Sequence, residues 1–198
     1  MPRTLVVATH NPKKFEEMSA ILAGLDADLV PLDAFGDVAP VPETGDTFEA
    51  NARLKALGYA LATGQWALAD DSGLEVDALG GAPGVQSARW GGEQGNDRLN
   101  NAALMRALAA HPKETWTARF RCVMALATPE MVLAVTAGAC EGRITDAPAG
   151  SNGFGYDPHF WIPERGRTMA ELPADEKNRL SHRARALAAM KDRLEKLL

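Results

Sequence analysis

Two cysteines, Cys122 and Cys140, in 198 residues are too few for a disulfide framework, and they lack the close spacing of a zinc site. Two small buried thiols on strands are the expectation. No apolar run approaches the length of a membrane span, and Leu5-Val6-Val7-Ala8, behind Met-Pro-Arg, is too short for the core of a signal peptide. Basic residues are not in excess: 21 Lys and Arg against 26 Asp and Glu give a net charge of −5. That balance speaks against polymeric nucleic acid as a partner, because displacing its counterions takes a surplus of cations. Tandem repeats, low-complexity tracts and linkers are also missing. These exclusions leave a cytoplasmic protein of one domain over residues 1–198, whose 46% hydrophobic residues suffice for one substantial core.

What charge there is lies unevenly. Residues 26–50 hold seven acids and no Lys or Arg, whereas residues 175–198 hold seven Lys or Arg against four acids. A phosphorylated substrate would have to meet a local basic patch of that kind.

The pattern of elements is mixed. Leu5–Thr9 reads as a buried first strand, Asn11 as a helix N-cap with Pro12 at the first helical position, and Phe15, Met18 and Leu22 as one helical face ending near Gly24. A second helix is expected from about Thr47 to Thr63 with Leu54, Leu57 and Leu61 turned inward, opened by a capping-box-like pair of Asp46 and Glu49. A strand then closes on Asp70 and Asp71, and residues 73–95, rich in glycine, read as a long loop. Asn96 caps a helix bearing Leu99, Leu104 and Leu108. Alternation from Trp116 to Leu126 marks a strand, and Thr128-Pro129-Glu130 turns it into an antiparallel partner around 131–139. The chain finishes in an amphipathic helix with Leu187, Met190, Leu194 and Leu197, capped by Ser181. The fold class is therefore α/β, a mixed central sheet with flanking helices.

Adjacent carboxylates at a strand mouth are costly unless a cation or a proton transfer uses them. Asp70 and Asp71, followed by Ser72-Gly73, make such a pair, and hard oxygen donors suit magnesium held by one or two carboxylates plus phosphate oxygens. Successive strand residues face opposite ways, so both aspartates serve one ion only if the backbone turns between them. Glu43, left over after helix capping is assigned, is the second candidate ligand. Thr9-His10-Asn11-Pro12-Lys13-Lys14 lies between strand and helix, where free amides and the helix dipole favour an anion, but it lacks the glycines of a P-loop or a dinucleotide fingerprint. In Ser151-Asn152-Gly153-Phe154-Gly155-Tyr156-Asp157-Pro158 glycines flank an aromatic ring, which either packs in a core or stacks on a nucleobase. Lys177, Ser181, His182 and Arg183 gather at the entry to the last helix.

In their order along the chain, THNPKK, ETGDTF, ADDSGLEVDALGGAPGVQSARWGG, SNGFGYDP and the later Lys177 with Ser181-His182-Arg183 resemble the inosine triphosphate pyrophosphatase family from about Leu5 to Leu187. The resemblance implies a single two-lobed domain with a twisted central sheet and a nucleotide-binding cleft, acting as a homodimer. It implies magnesium-dependent hydrolysis of ITP, dITP or XTP to the monophosphate and pyrophosphate. By position, Thr9, His10, Asn11, Pro12, Lys13 and Lys14 would hold phosphates. Glu43 and Asp71 would hold the metal, with Asp71 also the general base, and Ser72 and Lys177 would line the nucleotide site. Phe154, Gly155, Tyr156 and Asp157 would embrace the base, and His182 and Arg183 would read its edge. Two positions depart from the pattern: His10 stands where many relatives carry glycine, and Ala50 where relatives usually carry glutamate.

Overall fold

The computed structural model describes residues 2–198. In chain order the main elements are β1 (Arg3–Val7), α1 (Pro12–Ile21), β2 (Ala27–Pro31), α2 (Phe48–Thr63), β3 (Trp66–Val76), α3 (Asp97–Leu108), β4 (Thr117–Ala127), β5 (Val132–Ile144), β6 (Phe160–Ile162), β7 (Arg167–Thr168), α4 (Ala174–Leu180) and α5 (His182–Leu197). The strands form one seven-stranded sheet in the order β2-β1-β3-β4-β5-β6-β7. Pairing of β1 with β2 and β3 is parallel, and pairing of β6 with β5 and β7 is antiparallel. The expected mixed α/β class is what the chain adopts.

The chain divides into two compact units. The first comprises residues up to Asp71, Cys122–Gly138 and Arg183–Leu198. Its core gathers Leu5 and Val7 of β1, Met18 and Leu22 from α1, Leu68 of β3, Cys122, Met124 and Leu126 of β4, and Leu187, Met190 and Leu194 of α5. Each buried leucine of this kind contributes about 1.5–3 kcal/mol. The second unit comprises Ser72–Arg121 and Ala139–His182, built on Leu74, Val76, Leu104, Leu108, Phe120, Phe160 and Met169 among others. Both cysteines are buried, in no disulfide.

Several sequence expectations are corrected. The segment from residue 73 is not loop at first: β3 runs on to Val76, and 3-10 turns follow at Asp77–Leu79 and Gly84–Arg89. Leu54 and Leu61 are exposed, at 41% and 61%. The inward face of α2 is instead Asn51, Ala52, Lys55, Ala56, Tyr59 and Ala60, because alanines four residues apart let the helix approach closely while the leucines, at three and seven, fall on its flank. The N-cap of α2 is Thr47, whose hydroxyl accepts the Ala50 N–H at 3.1 Å. Glu49, the expected box partner, pairs with Arg53 at 2.8 Å on the surface. Helix α4 was not expected, and Ser181 is its C-cap as well as the residue before α5. The turn at Thr128 stands, with its hydroxyl accepting the N–H groups of Glu130 and Met131, but β5 extends to Ile144. Among the described residues no helix is long and apolar enough to cross a membrane.

Candidate active site

Strand β3 passes straight through Asp70 and Asp71 and continues, so no turn brings the two carboxylates to one point. Alternation sends them apart, and each is buried, at 3% and 6% exposure. Each has its own cations. Asp70 accepts from Lys14 Nζ through both oxygens, at 3.0 and 2.9 Å, and from Arg183 Nη2 at 3.5 Å. Arg183 Nη1 also binds Glu17 Oε2 at 2.5 Å. Burial works to lower the Arg183 pKa, but the pull of Asp70 and Glu17 outweighs it and holds the guanidinium above its ordinary value.

Asp71 faces α2. Its Oδ1 accepts from Lys55 Nζ at 2.9 Å, and the same ammonium reaches Glu43 Oε1 at 2.8 Å. Its Oδ2 accepts from Asn51 Nδ2 at 3.3 Å, while Asn51 Oδ1 accepts the Gly45 N–H at 2.7 Å. That second bond fixes the amide: a backbone N–H only donates, so the oxygen of Asn51 must face Gly45 and its NH2 must face Asp71. Asn51, one helical turn before Lys55, thus ties the loop carrying Glu43 to β3. A Cβ at Gly45 would come within 2.8 Å of Asn51 Oδ1 and 2.6 Å of Ala50 Cβ, so glycine is required for this approach.

The electrostatics of this cluster are mutual. Burial raises the Asp71 carboxyl above its usual range; Lys55 opposes this, and Glu43 and Asp70 add to it. Burial lowers the Lys55 ammonium, yet Asp70, Asp71 and Glu43 together more than reverse that, and Lys55 stays protonated above its ordinary value.

At the start of α1, Asn11 Oδ1 caps the N–H groups of Lys13 and Lys14 at 3.0 and 3.3 Å, and the Thr9 hydroxyl accepts the Asn11 N–H at 3.1 Å. Pro12 sits at the first helical position as its missing N–H permits. His10, Pro12 and Lys13 are exposed, and the His10 ring lies edge-on to Tyr59, 5.8 Å between centroids. The segment therefore ends in exposed side chains above a capped helix terminus, with Lys14 turned in to Asp70.

The second unit organises the remaining residues. Asp157 Oδ2 accepts both the Phe154 N–H at 3.0 Å and Lys177 Nζ at 2.9 Å, and that ammonium stands 4.8 Å from the centre of the Phe154 ring. A Cβ at Gly153 would lie 2.0 Å from Asp157 Oδ2, and the residue has φ +79°, so only glycine fits. Gly155 donates to Asp97 Oδ2 at 2.7 Å and accepts from Asn101 Nδ2 at 2.8 Å, which pins the loop to the first turns of α3. The Tyr156 hydroxyl donates to the Ser87 carbonyl at 2.8 Å, and burial raises its pKa. Here Phe154 belongs to a held loop and Tyr156 to the core. His182 is buried and stacks on Phe120 at 4.9 Å; Ser72 is half-buried in β3.

Glu43 and Asp71 already converge on one cation, the Lys55 ammonium, so the donor set is of the right charge and reach for a hard divalent ion. Among the described residues no group of three or more His, Cys, Asp or Glu side chains is placed to hold a metal alone. An ion here would need ligands from the substrate as well, as magnesium commonly does.

Lys55, Asn51 and Glu17 were not picked out from the sequence, and Asp70 was not given a role in the site. The available signal was a lone lysine and asparagine on the alanine face of α2, beside the stronger leucine spacing on its flank.

The Ham1 family model matches residues 5–193. A dITP/XTP pyrophosphatase of Geobacter sulfurreducens is 53% identical over 190 residues, covering 96% of each chain, and one of Bacillus subtilis is 45% identical over 190 residues with the same coverage. Among solved structures, a HAM1 protein from Coxiella burnetii superposes with a TM-score of 0.89 at 41% identity, covering 98% of this chain and 99% of that one. The Staphylococcus aureus Ham1 protein gives 0.87 at 37% identity, covering 99% of this chain and 100% of its own.

Proposed function

Because the chain belongs to the Ham1 family, we propose that it hydrolyses deaminated purine nucleoside triphosphates, ITP, dITP and XTP, to the monophosphate and pyrophosphate. Relatives named dITP/XTP pyrophosphatases, alignable over nearly the whole chain, support the substrate class. The observation that carries the chemistry is the convergence of Glu43 and Asp71 on Lys55, with Asn51 holding Asp71.

Water attacks the α-phosphorus, the bond from that phosphorus to the bridging oxygen breaks, and pyrophosphate departs with the electron pair. Asp71 accepts the water's proton; its raised pKa brings it nearer the working range of a general base. Asn51 fixes which way the Asp71 carboxylate faces. Magnesium, held by Glu43 and Asp71 with the substrate phosphates, would neutralise charge as the pyrophosphate forms. Thr9, His10, Asn11, Pro12, Lys13 and Lys14 are assigned to the phosphates, where the α1 terminus and two lysines favour anions. Ser72 and Lys177 are assigned to the nucleotide site and Phe154, Gly155, Tyr156 and Asp157 to the base, with Lys177 and Asp157 fixing the Phe154 ring. His182 and Arg183 are assigned to the 6-keto edge. Since Arg183 is engaged by Glu17 and Asp70, that role requires it to exchange one of these contacts. The protein would act in the cytoplasm as a homodimer, a state that rests on the family resemblance and that sedimentation checks by doubling of the chain mass.

Incubation with dITP and magnesium tests the reading. Equal amounts of dIMP and pyrophosphate are expected, and release of orthophosphate, or no turnover, would count against it.

A further inference from the structure

The Lys55 ammonium occupies the one point that both proposed metal ligands face. It lies 2.8 Å from Glu43 Oε1 and 2.9 Å from Asp71 Oδ1 and is only 11% exposed through its side chain. A divalent ion bound to the same oxygens would stand within contact distance of that ammonium, and two cations so close in a buried site repel strongly. The surroundings offer a surplus of one negative charge, less than a divalent ion carries: the four carboxylates of Glu17, Glu43, Asp70 and Asp71 are set against the three cations of Lys14, Lys55 and Arg183.

We propose that Lys55 is the resident cation of the Glu43–Asp71 pair, that it keeps the divalent ion out of the nucleotide-free protein, and that the ion enters only together with the triphosphate. This inference rests on the reading that Glu43 and Asp71 are the ion's ligands. The nucleotide supplies what the two carboxylates alone do not: phosphate oxygens that complete the ion's coordination and negative charge that accepts the ammonium as it leaves the carboxylates. Lys55 is suited to that exchange. Two of its three N–H groups are committed, to Glu43 and Asp71, and a lysine head turns freely on its stem. Binding is then ordered, with the metal–nucleotide complex as the true ligand, and Lys55 passes from carboxylate to phosphate as the ion takes its place.

The test uses Mn2+ as a paramagnetic stand-in, titrated into the whole protein while the resonance of free Mn2+ is followed. Nucleotide-free wild type is expected to bind without saturation into the millimolar range, and to bind at least ten-fold more tightly once a non-hydrolysable α,β-methylene triphosphate is present, a difference of about 1.4 kcal/mol or more. Lys55→Met should bind Mn2+ without nucleotide on the order of ten-fold more tightly than wild type, and adding Asp71→Asn should abolish that gain. Lys55→Gln, which keeps a polar head, provides a second variant should the methionine disturb folding. Tight binding by nucleotide-free wild type overturns the proposal with no variant needed. If instead no form binds Mn2+ in a way that depends on Asp71, the ligand assignment itself has failed and the proposal falls with it. The two failures are told apart by the Asp71→Asn arm.

Discussion

At the scale of single residues the account turns on Asp71. Asn51 and Lys55 give it two fixed partners, and burial raises its pKa. Replacing it by asparagine keeps the shape and removes the proposed base, so kcat should fall by about 10²–10⁴-fold in a pyrophosphate-release assay while a melting curve still reports a folded protein. The pH profile should follow the same shift. A base works only when deprotonated, and raising its pKa moves the acid limb to higher pH. The limb should therefore lie above the ordinary aspartate value of 3.8, and a rate flat down to that pH would argue for another group. Asp71 was legible in the sequence because paired carboxylates at a strand mouth need an explanation. Lys55 was not. A helix lysine is ordinarily solvated, and only the fold reveals that position 55 lies on the face of α2 turned to β3.

At the scale of elements, strand alternation and helix packing decide which side chains meet. The straight passage of β3 gives Asp70 to Lys14 and Arg183 and Asp71 to Lys55, where adjacency in sequence had suggested a shared turn. On α2 the alanine face predicts a contrast: Ala56→Leu, at a fully buried site, should cost about 1–3 kcal/mol through overpacking. Leu61→Lys, on the exposed flank, should stay within about 0.5 kcal/mol; chemical denaturation of both variants checks this. In the loop between β5 and β6, Gly153→Ala would drive a methyl into Asp157 at a positive φ. About 1–3 kcal/mol of strain is expected there, with the nucleotide KM rising more than kcat falls, because Phe154 loses its support. Capping at Asn11, the α3 helix and the β4 alternation were all readable, since local chemistry sets them. The second half of β3 was not, because Gly73 and the glycines that follow the strand, Gly80, Gly81 and Gly84, make the stretch resemble loop while sheet neighbours hold it extended.

At the scale of the whole molecule, sequence order and chemistry agree. The division into two compact units separates the aspartates, Lys14, Lys55 and Arg183 from the Phe154 loop, Lys177 and His182. The residues proposed for phosphate and metal thus belong to one unit, and those proposed for the base belong largely to the other. Motif order alone pointed to the family; the pairing of charges within each unit came only with the fold, because it joins residues far apart in the chain, such as Glu17 and Arg183. The central claim is that this chain cuts a nucleoside triphosphate between its α and β phosphates using Asp71. The direct measurement is phosphorus NMR of inosine triphosphate and magnesium with wild type and Asp71→Asn in parallel, expected to show inosine monophosphate and pyrophosphate from the first and unchanged triphosphate from the second. Orthophosphate from the wild type, or undiminished turnover by the variant, would contradict it.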